Sequence, residues 1–347
     1  MEKMFKRSVL GAAVAFAAVS GSANAAIELV GQNVVLYGQA AGFAHITNPE
    51  VGEGVAEVVM ESRIGFRGRV EFDNFSPDLI WQMEGGNAGS DGGSLGQRDT
   101  FIGLDFDGVG SFKYGRQLVA SYNYVDWPHS NPGLGNVFDG HNTLGGWSVN
   151  SDGDQEVARV AFEDRANNVF RFDSATFGGI NFQATLSGMG STRDALVSSV
   201  ATSYTNGALN LHAGYYNQAR YTADNAPAGD NSYIIVGGSL ALGDITLTAG
   251  WKSMENGLTN NDQDAFSATA QYVIDGTWML KAGYAATTDS KLGDNDGSTA
   301  ITGRVGYLLP SAIIYTDVRS YDYYGSAEQV GTTVDGTNIL IGMEYYF

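Results

Sequence analysis

From Glu57 to Phe72 the chain alternates in character at every step. One parity holds Glu57, Val59, Glu61, Arg63, Gly65, Arg67, Arg69 and Glu71, and the other holds Val58, Met60, Ser62, Ile64, Phe66, Gly68, Val70 and Phe72. Successive side chains of an extended strand point to opposite faces, so this segment reads as one strand with a charged face and an apolar face. It is long for a sandwich strand, whose apolar face is short and matched by a second sheet. The same period recurs from end to end, while no stretch of ordinary helix length carries a convincing 3.6-residue period. Beyond the first twenty-odd residues no apolar run approaches the roughly 20 residues that a membrane-spanning helix requires. The chain is therefore expected to be all-β.

Turn chemistry delimits sixteen strand candidates. In the first half they are 33–45, 57–72, 78–86, 98–106, 111–119, 167–174, 180–188 and 196–205. In the second half they are 208–218, 232–241, 245–254, 265–274, 278–287, 299–308, 312–323 and 338–347. The connections alternate in length. Short ones, such as Asp107 to Gly110, Asn206-Gly207 and Leu242 to Asp244, alternate with long Gly/Asp/Asn-rich ones such as 85–97, 219–231, 288–298 and 324–337. Asn-Gly suits a two-residue hairpin because both central positions need positive φ. Seven short turns, eight long loops and sixteen strands predict an even-numbered transmembrane antiparallel β-barrel with both termini on the short-turn side. In lipid only helices and closed barrels satisfy every backbone polar group, and helices are excluded. In the last strand Ile339, Ile341, Met343, Tyr345 and Phe347 form the outward set, and Trp251 and Trp278 are further outward candidates.

The N-terminus carries Lys3, Lys6 and Arg7, an apolar run from Val9 to Val19 and a small-residue ending Ala23-Asn24-Ala25, the pattern of an export signal. The expected organisation is a signal peptide over 1–25 and a barrel domain over 26–347. Of the chain's 19 basic and 38 acidic residues, 16 and 37 remain after cleavage, a net charge of −21. That balance makes nucleic acid an unfit partner, since phosphate binding needs positive charge. It favours a lumen or surface that concentrates cations. Zero cysteines exclude disulfides, thiolate metal sites and a cysteine nucleophile.

Several local stretches resemble the general diffusion porins of Gram-negative outer membranes. They are Val35-Leu36-Tyr37-Gly38-Gln39, Ser62-Arg63-Ile64-Gly65-Phe66-Arg67-Gly68, Gly110 to Arg116, Asn168 to Ser174, and the terminal Phe347 preceded by Tyr345. The resemblance extends over essentially the whole mature chain. It implies a homotrimer of sixteen-stranded barrels in the outer membrane, reached through the periplasm, each with a water-filled pore narrowed by an inward-folded third loop. It also implies that Tyr345 and Phe347 form the assembly signal read by the outer-membrane insertion machinery. Outer-membrane lipid and lipopolysaccharide are the implied surroundings.

The segment matching the third loop runs from about 118 to 163, without a convincing strand. So long an unstructured loop is uncommon unless it is functional. In the family, acids on this loop face a ladder of arginines on the wall. Arg63 and Arg98 match ladder positions, Arg165 is a third candidate, and Arg116 is assigned either to the ladder or to a subunit contact. The parity of Arg63 independently points it to the lumen, whereas Arg98 shares a face with Ile102 and Leu104. Asp126 and Asp139 are the candidate constriction acids. The fourth and fifth strands, apolar on both parities at Phe101, Ile102, Leu104 and Phe106, suit a wall buried between subunits.

No enzyme constellation rises above background: there is no H-E-x-x-H, G-x-S-x-G or phosphate-binding loop. Only His45, His129, His141 and His212 are available as imidazoles. Gly293-Asp294-Asn295-Asp296-Gly297-Ser298 has the oxygen density of a calcium loop but lacks the closing glutamate, and reads as a turn. No cofactor and no metal are expected. The expected function is passive diffusion of small hydrophilic solutes and ions, moderately cation-selective. The alternatives are a substrate-specific channel, or a plugged barrel serving as a structural or adhesive surface protein.

Overall fold

A computed structural model describes residues 26–50, 52–86, 93–126, 135–139, 145–149, 155–159, 162, 164–188, 196–221, 227–257, 260–293, 295–322 and 335–347. The signal segment 1–25 lies outside the described residues. The strands of the first half are β1 (Ile27–Val30), β2 (Val34–Pro49), β3 (Ala56–Met60), β4 (Arg63–Phe72), β5 (Phe75–Gly85), β6 (Leu95–Phe106) and β7 (Gly110–Leu118). Between β7 and the next wall strand lie helices α1 (Tyr122–Asp126) and α2 (Gly135–Asp139) and a hairpin of β8 (Gly145–Val149) with β9 (Gln155–Arg159). The wall resumes with β10 (Arg165–Ser174), β11 (Ile180–Ser187), β12 (Val197–Asn206), β13 (Leu209–Tyr221), β14 (Pro227–Leu242) and β15 (Ile245–Asn256). It ends with β16 (Asn261–Ile274), β17 (Trp278–Thr287), β18 (Thr299–Leu309), β19 (Ala312–Asp322) and β20 (Gly336–Tyr346).

Consecutive wall strands pair antiparallel, β7 pairs with β10 across the inserted segment, and β20 pairs with β2 from Tyr346↔Gln39 to Gly336↔Pro49. The sheet is thereby closed. Both β3 and β4 pair with β2 and so share one place in the ring, and the short β1 pairs with Val34–Leu36 of β2, beyond the Gln39–Pro49 stretch that β20 takes, so it shares the place of β20; the 18 strands of the sheet thus make a closed antiparallel barrel of 16. The expected single strand over 57–72 is interrupted at Glu61-Ser62. There the Ser62 hydroxyl donates to the carbonyl of Ala41 at 3.2 Å and accepts from its amide at 3.0 Å, taking over part of the ladder. The third connection, expected to lack strands, contains the β8–β9 hairpin.

The alternation settles which face meets lipid. On β12 the even residues Ser198, Val200, Thr202 and Tyr204 are exposed while Val197, Ser199, Ala201 and Ser203 are buried. Exposed apolar side chains such as Ile234, Phe266, Val305 and Ile341 continue this outer band around the barrel, as a lipid-facing wall demands. At the short-turn end Trp278 meets Tyr307 edge-on at 5.0 Å, and Tyr345 stacks near Phe347 at 6.3 Å, an aromatic rim. In the fourth strand the two apolar parities divide between the faces: Phe101 faces inward, with the Lys113 ammonium 5.0 Å from its ring, while Ile102, Leu104 and Phe106 take the outer parity.

The chain end completes the closure. Gly38 donates to the Phe347 carbonyl at 2.7 Å, and the Phe347 amide donates to Gly38 at 3.1 Å. A Cβ at position 38 would stand 2.6 Å from the Phe347 ring and 2.6 Å from the Arg63 carbonyl. A Gly38→Val substitution is therefore expected to cost about 1–3 kcal/mol through overpacking. It should lower the fraction of protein running as the compact, heat-modifiable band on electrophoresis. A folded fraction equal to that of the unmodified protein would show that the C-terminal ring does not need this seat.

Candidate pore constriction

The two short helices lie inside the barrel because they carry an apolar face that one wall can bury. Val119, Ala120, Tyr124, Val125, Val137 and Phe138 are buried in one cluster with Tyr216, Tyr233, Ile235, Met254, Ala265, Ala285 and Ala300 from β13 to β18. These wall residues all lie on the inner parity, so the loop is seated in the lumen. Tyr124 stacks on His212 with ring centres 4.5 Å apart, and Phe162 meets Tyr216 and Tyr233 edge-on.

Polar contacts lock the entry of the loop. The Ala120 amide donates to Thr185 Oγ1 at 3.1 Å, the Ser121 amide to Ser199 Oγ at 2.9 Å, and the Ser121 hydroxyl lies 2.7 Å from both Ser199 Oγ and Tyr233 Oη. Asn123 donates to Gln183, which also receives Arg171. At the far end of the seat the Lys252 ammonium, wholly buried on β15, donates to the backbone carbonyl of Asp139 at 2.5 Å and to its carboxylate at 3.0 Å. The same ammonium stands 4.6 Å from the centre of the Tyr233 ring and 5.3 Å from that of Phe162. Lys252 carried no signal in the sequence beyond its parity, since its importance comes from a residue more than a hundred positions away.

The opposite wall is charged and wetter. On β4, Arg63, Arg67 and Arg69 lie on the inner parity and Arg67 is exposed to the lumen. Arg67 lies over the Tyr37 ring at 4.9 Å, and Tyr37 donates to Glu84 at 2.9 Å. Arg98 also turns to Glu84, with Nε 2.5 Å from Oε1. Its parity alone would send it outward with Ile102. The register between β5 and β6 slips beyond Met83, and Gly96 adopts φ +93°, a conformation that suits glycine. That bulge turns Arg98 inward. Arg165 reaches Asp99 at 2.7 Å, and Arg69 is paired with both Asp78 and Asp105.

The candidate residues thus separate into three groups. Arg63 and Arg98 lie on the inner side of β4 and β6, Arg165 stands opposite Leu118 at the start of β10 and reaches Asp99, and Arg116 takes the outer parity and donates to the Gln97 carbonyl at 2.6 Å and to Asn167 at 2.9 Å. Asp139 faces Lys252 on the far wall, not the arginines. Asp126 ends α1, and its side chain lies outside the described residues, as do His129 and His141. In the loop over 288–298, between β17 and β18, Asp296 accepts from the Ser290 amide and hydroxyl at 2.6 Å, and Asp289 accepts from the Gly297 amide at 3.0 Å, turn contacts internal to the segment.

A membrane-spanning closed barrel whose third connection folds inward against one wall defines a channel protein. The family model of Gram-negative porins matches residues 12–326. The chain belongs to the Gram-negative porin family. Over 393 aligned positions it is 32% identical to the chitoporin of Vibrio furnissii, with all of both chains covered. It is 31% identical to outer membrane porin F of Escherichia coli K12 over 144 positions, 38% of this chain and 39% of that one. Among solved structures, the anion-selective porin from Comamonas acidovorans superposes with a TM-score of 0.72 at 19% identity, covering 91% of this chain and 99% of the other. Salmonella typhi OmpF in complex with daunomycin gives 0.72 at 18%, covering 93% and 100%. The chain is accordingly an outer-membrane channel protein and not an enzyme.

Proposed function

We propose that the mature protein is an open diffusion pore for small hydrophilic solutes and ions, moderately selective for cations and assembled as a homotrimer. The observation that carries the open-pore reading is the one-sided seating of the loop. Tyr216, Tyr233 and Ile235 on one wall are completely covered, at 0–1% exposure, while Arg67 on the other remains exposed and Tyr37, Gln39 and Arg63 only partly covered. A plug would bury both walls alike. Single-channel conductance in a planar bilayer tests this, and a correctly folded protein that passes no current would overturn it. The trimer rests on family membership and on the outer apolar parity of β6 and β7; electrophoresis of the unheated protein should show a band at three times the chain mass.

Cation preference is assigned to the mouths more than to the waist. On the inner wall from β4 to β10 many charges are held in pairs: Arg69 with Asp78 and Asp105, Arg98 with Glu84, Lys113 with Asp173. Many of the remaining acids, among them Glu50, Glu53, Asp73, Asp107, Asp244, Asp275 and Asp289, stand exposed in loops and turns. Exposed charges act over a screening length of about 30 Å at 0.01 M salt but about 3 Å at 1 M. The potassium-to-chloride permeability ratio from reversal potentials should therefore fall toward unity across that range. A ratio independent of salt would move the selectivity to acids within the constriction.

A substrate-specific reading has one observation of its own. Tyr37, Phe43, Tyr315 and Tyr346 share the inner parity of β2, β19 and β20, aromatic faces of the kind that sugar rings stack on, and the full-length relative is a chitoporin. Liposome swelling with chitin oligosaccharides against neutral glucose oligomers of equal size separates the readings. Equal rates favour general diffusion, and a selective gain for the chitin series favours the specific channel.

A further inference from the structure

Away from the arginine wall, β17, β18 and β19 carry a second basic cluster that the constriction does not use. Lys281 pairs in register with Arg304, and Arg304 with Asp317, so the three stand side by side in one row of the inner face. Arg319 stands in the next row, opposite Thr302. Arg304 makes a two-pronged contact with Asp317, Nε at 2.6 Å and Nη2 at 2.8 Å, and lies 3.9 Å from the centre of the Tyr315 ring. Arg319 reaches the same carboxylate at 2.7 Å. Asp317 itself is fully buried behind the two guanidinium groups.

The charge does not close. Three cations share Asp317, and Glu344 on β20, which accepts from Gln39 at 3.5 Å and from the Tyr346 hydroxyl, acts on Arg304 as a second anion, so one cation remains in excess. Lys281 is partly covered, and the described residues supply it with neither an ion pair nor a hydrogen bond. Two buried polar atoms in the cluster, Arg319 Nε and the Thr302 hydroxyl oxygen, also find no hydrogen-bond partner among the described residues. Thr302 is 3% exposed and aimed from the inner face of β18. A buried polar group left without a partner costs about 1–3 kcal/mol, so a group that accepts from these donors is stabilised twice, by charge and by hydrogen bonding. Like charges held together without compensation are otherwise unfavourable.

We infer that this cluster is a binding site for a doubly charged oxyanion, such as the phosphate group of a solute in transit. Asp317 serves as the fixed counter-charge that holds the two guanidinium groups in place, leaving Lys281 and the outer edge of Arg319 to receive the ligand. The site lies beside the loop seat but nearer the short-turn end. Ala285, buried under the loop cluster, is four residues further up β17 than Lys281, about 13 Å at the rise of an extended strand. A solute passing the loop would therefore meet the cluster next. The short-turn side of the waist then offers anions a foothold while the mouths favour cations, and the inference rests on the open-pore reading only for access during transport.

The test uses the full mature chain refolded in detergent, with inorganic phosphate at pH 8 as the probe and ³¹P line broadening as the readout of binding. Lys281→Met combined with Arg319→Gln removes two of the cations but leaves Arg304 to pair with Asp317, so the barrel is expected to fold; heat-modifiable migration checks this. Phosphate binding by the unmodified protein that weakens tenfold or more in the double variant, and is unchanged in Lys291→Gln on the extracellular loop, supports the site. No binding, or binding equal in the double variant, overturns it. Conductance in potassium chloride is recorded on the same preparations. A protein that conducts but binds no phosphate defeats this inference alone, and one that binds phosphate but does not conduct defeats the open-pore reading alone.

Discussion

Replacing Asp139 by asparagine is expected to unseat α2 and turn a steady channel into a flickering one, with little change in ion preference. Among the described residues the carboxylate is the anionic partner of the buried Lys252 ammonium, 3.0 Å away. Removing one member of a buried pair leaves an uncompensated charge and costs about 3–5 kcal/mol. Lys252→Met should do the same from the other side, leaving Asp139 with the Tyr122 hydroxyl at 3.3 Å. Because the barrel wall is held by its own ladder, the loss falls on the loop. It should be read as increased current variance and a higher mean conductance in single-channel records. Combining Lys252→Met with Asp139→Asn removes both charges together, and most of the lost steadiness should return. Quiet single variants would mean that the apolar contacts of Val137 and Phe138 hold the loop unaided.

A second large effect is expected on the outer wall. Val305 lies near the middle of β18 on the lipid-facing parity and is exposed in the isolated chain. An arginine in its place puts a charge near the bilayer midplane, where the cost is about 2–4 kcal/mol. The denaturant midpoint for unfolding from lipid vesicles should drop accordingly. The neighbouring inner position, Arg304, already carries that same side chain, since it faces water, Asp317 and Tyr315. If Val305→Arg unfolded at the unmodified midpoint, the assignment of inner and outer faces on this strand would be reversed.

The barrel was legible because it depends on a local rule. Inner and outer parity, the two-residue Asn206-Gly207 turn and the alternation of short and long connections are written in adjacent residues, and each strand must satisfy them alone before it can pair. The inward direction of Arg63 was legible for the same reason. Arg98 was not, because its orientation depends on a register slip between two strands, set by Gly96 and by how β5 ends. The break at Ser62 was hidden likewise, since a hydroxyl replaces part of the ladder only when Ala41 lies opposite.

The chain by itself determined that it would be a membrane barrel with a long third connection, because period-two patterning and the need to satisfy every backbone donor in lipid leave one architecture. Only the tertiary structure decided which wall the loop covers and what its acids do. Asp139 became an anchor and not a facing charge because Lys252 happens to lie beneath it, and the basic row of Lys281, Arg304 and Arg319 exists only because three strands pair in one register. Contacts between residues far apart in sequence have no local signature, so their chemistry becomes visible only when the ring is closed.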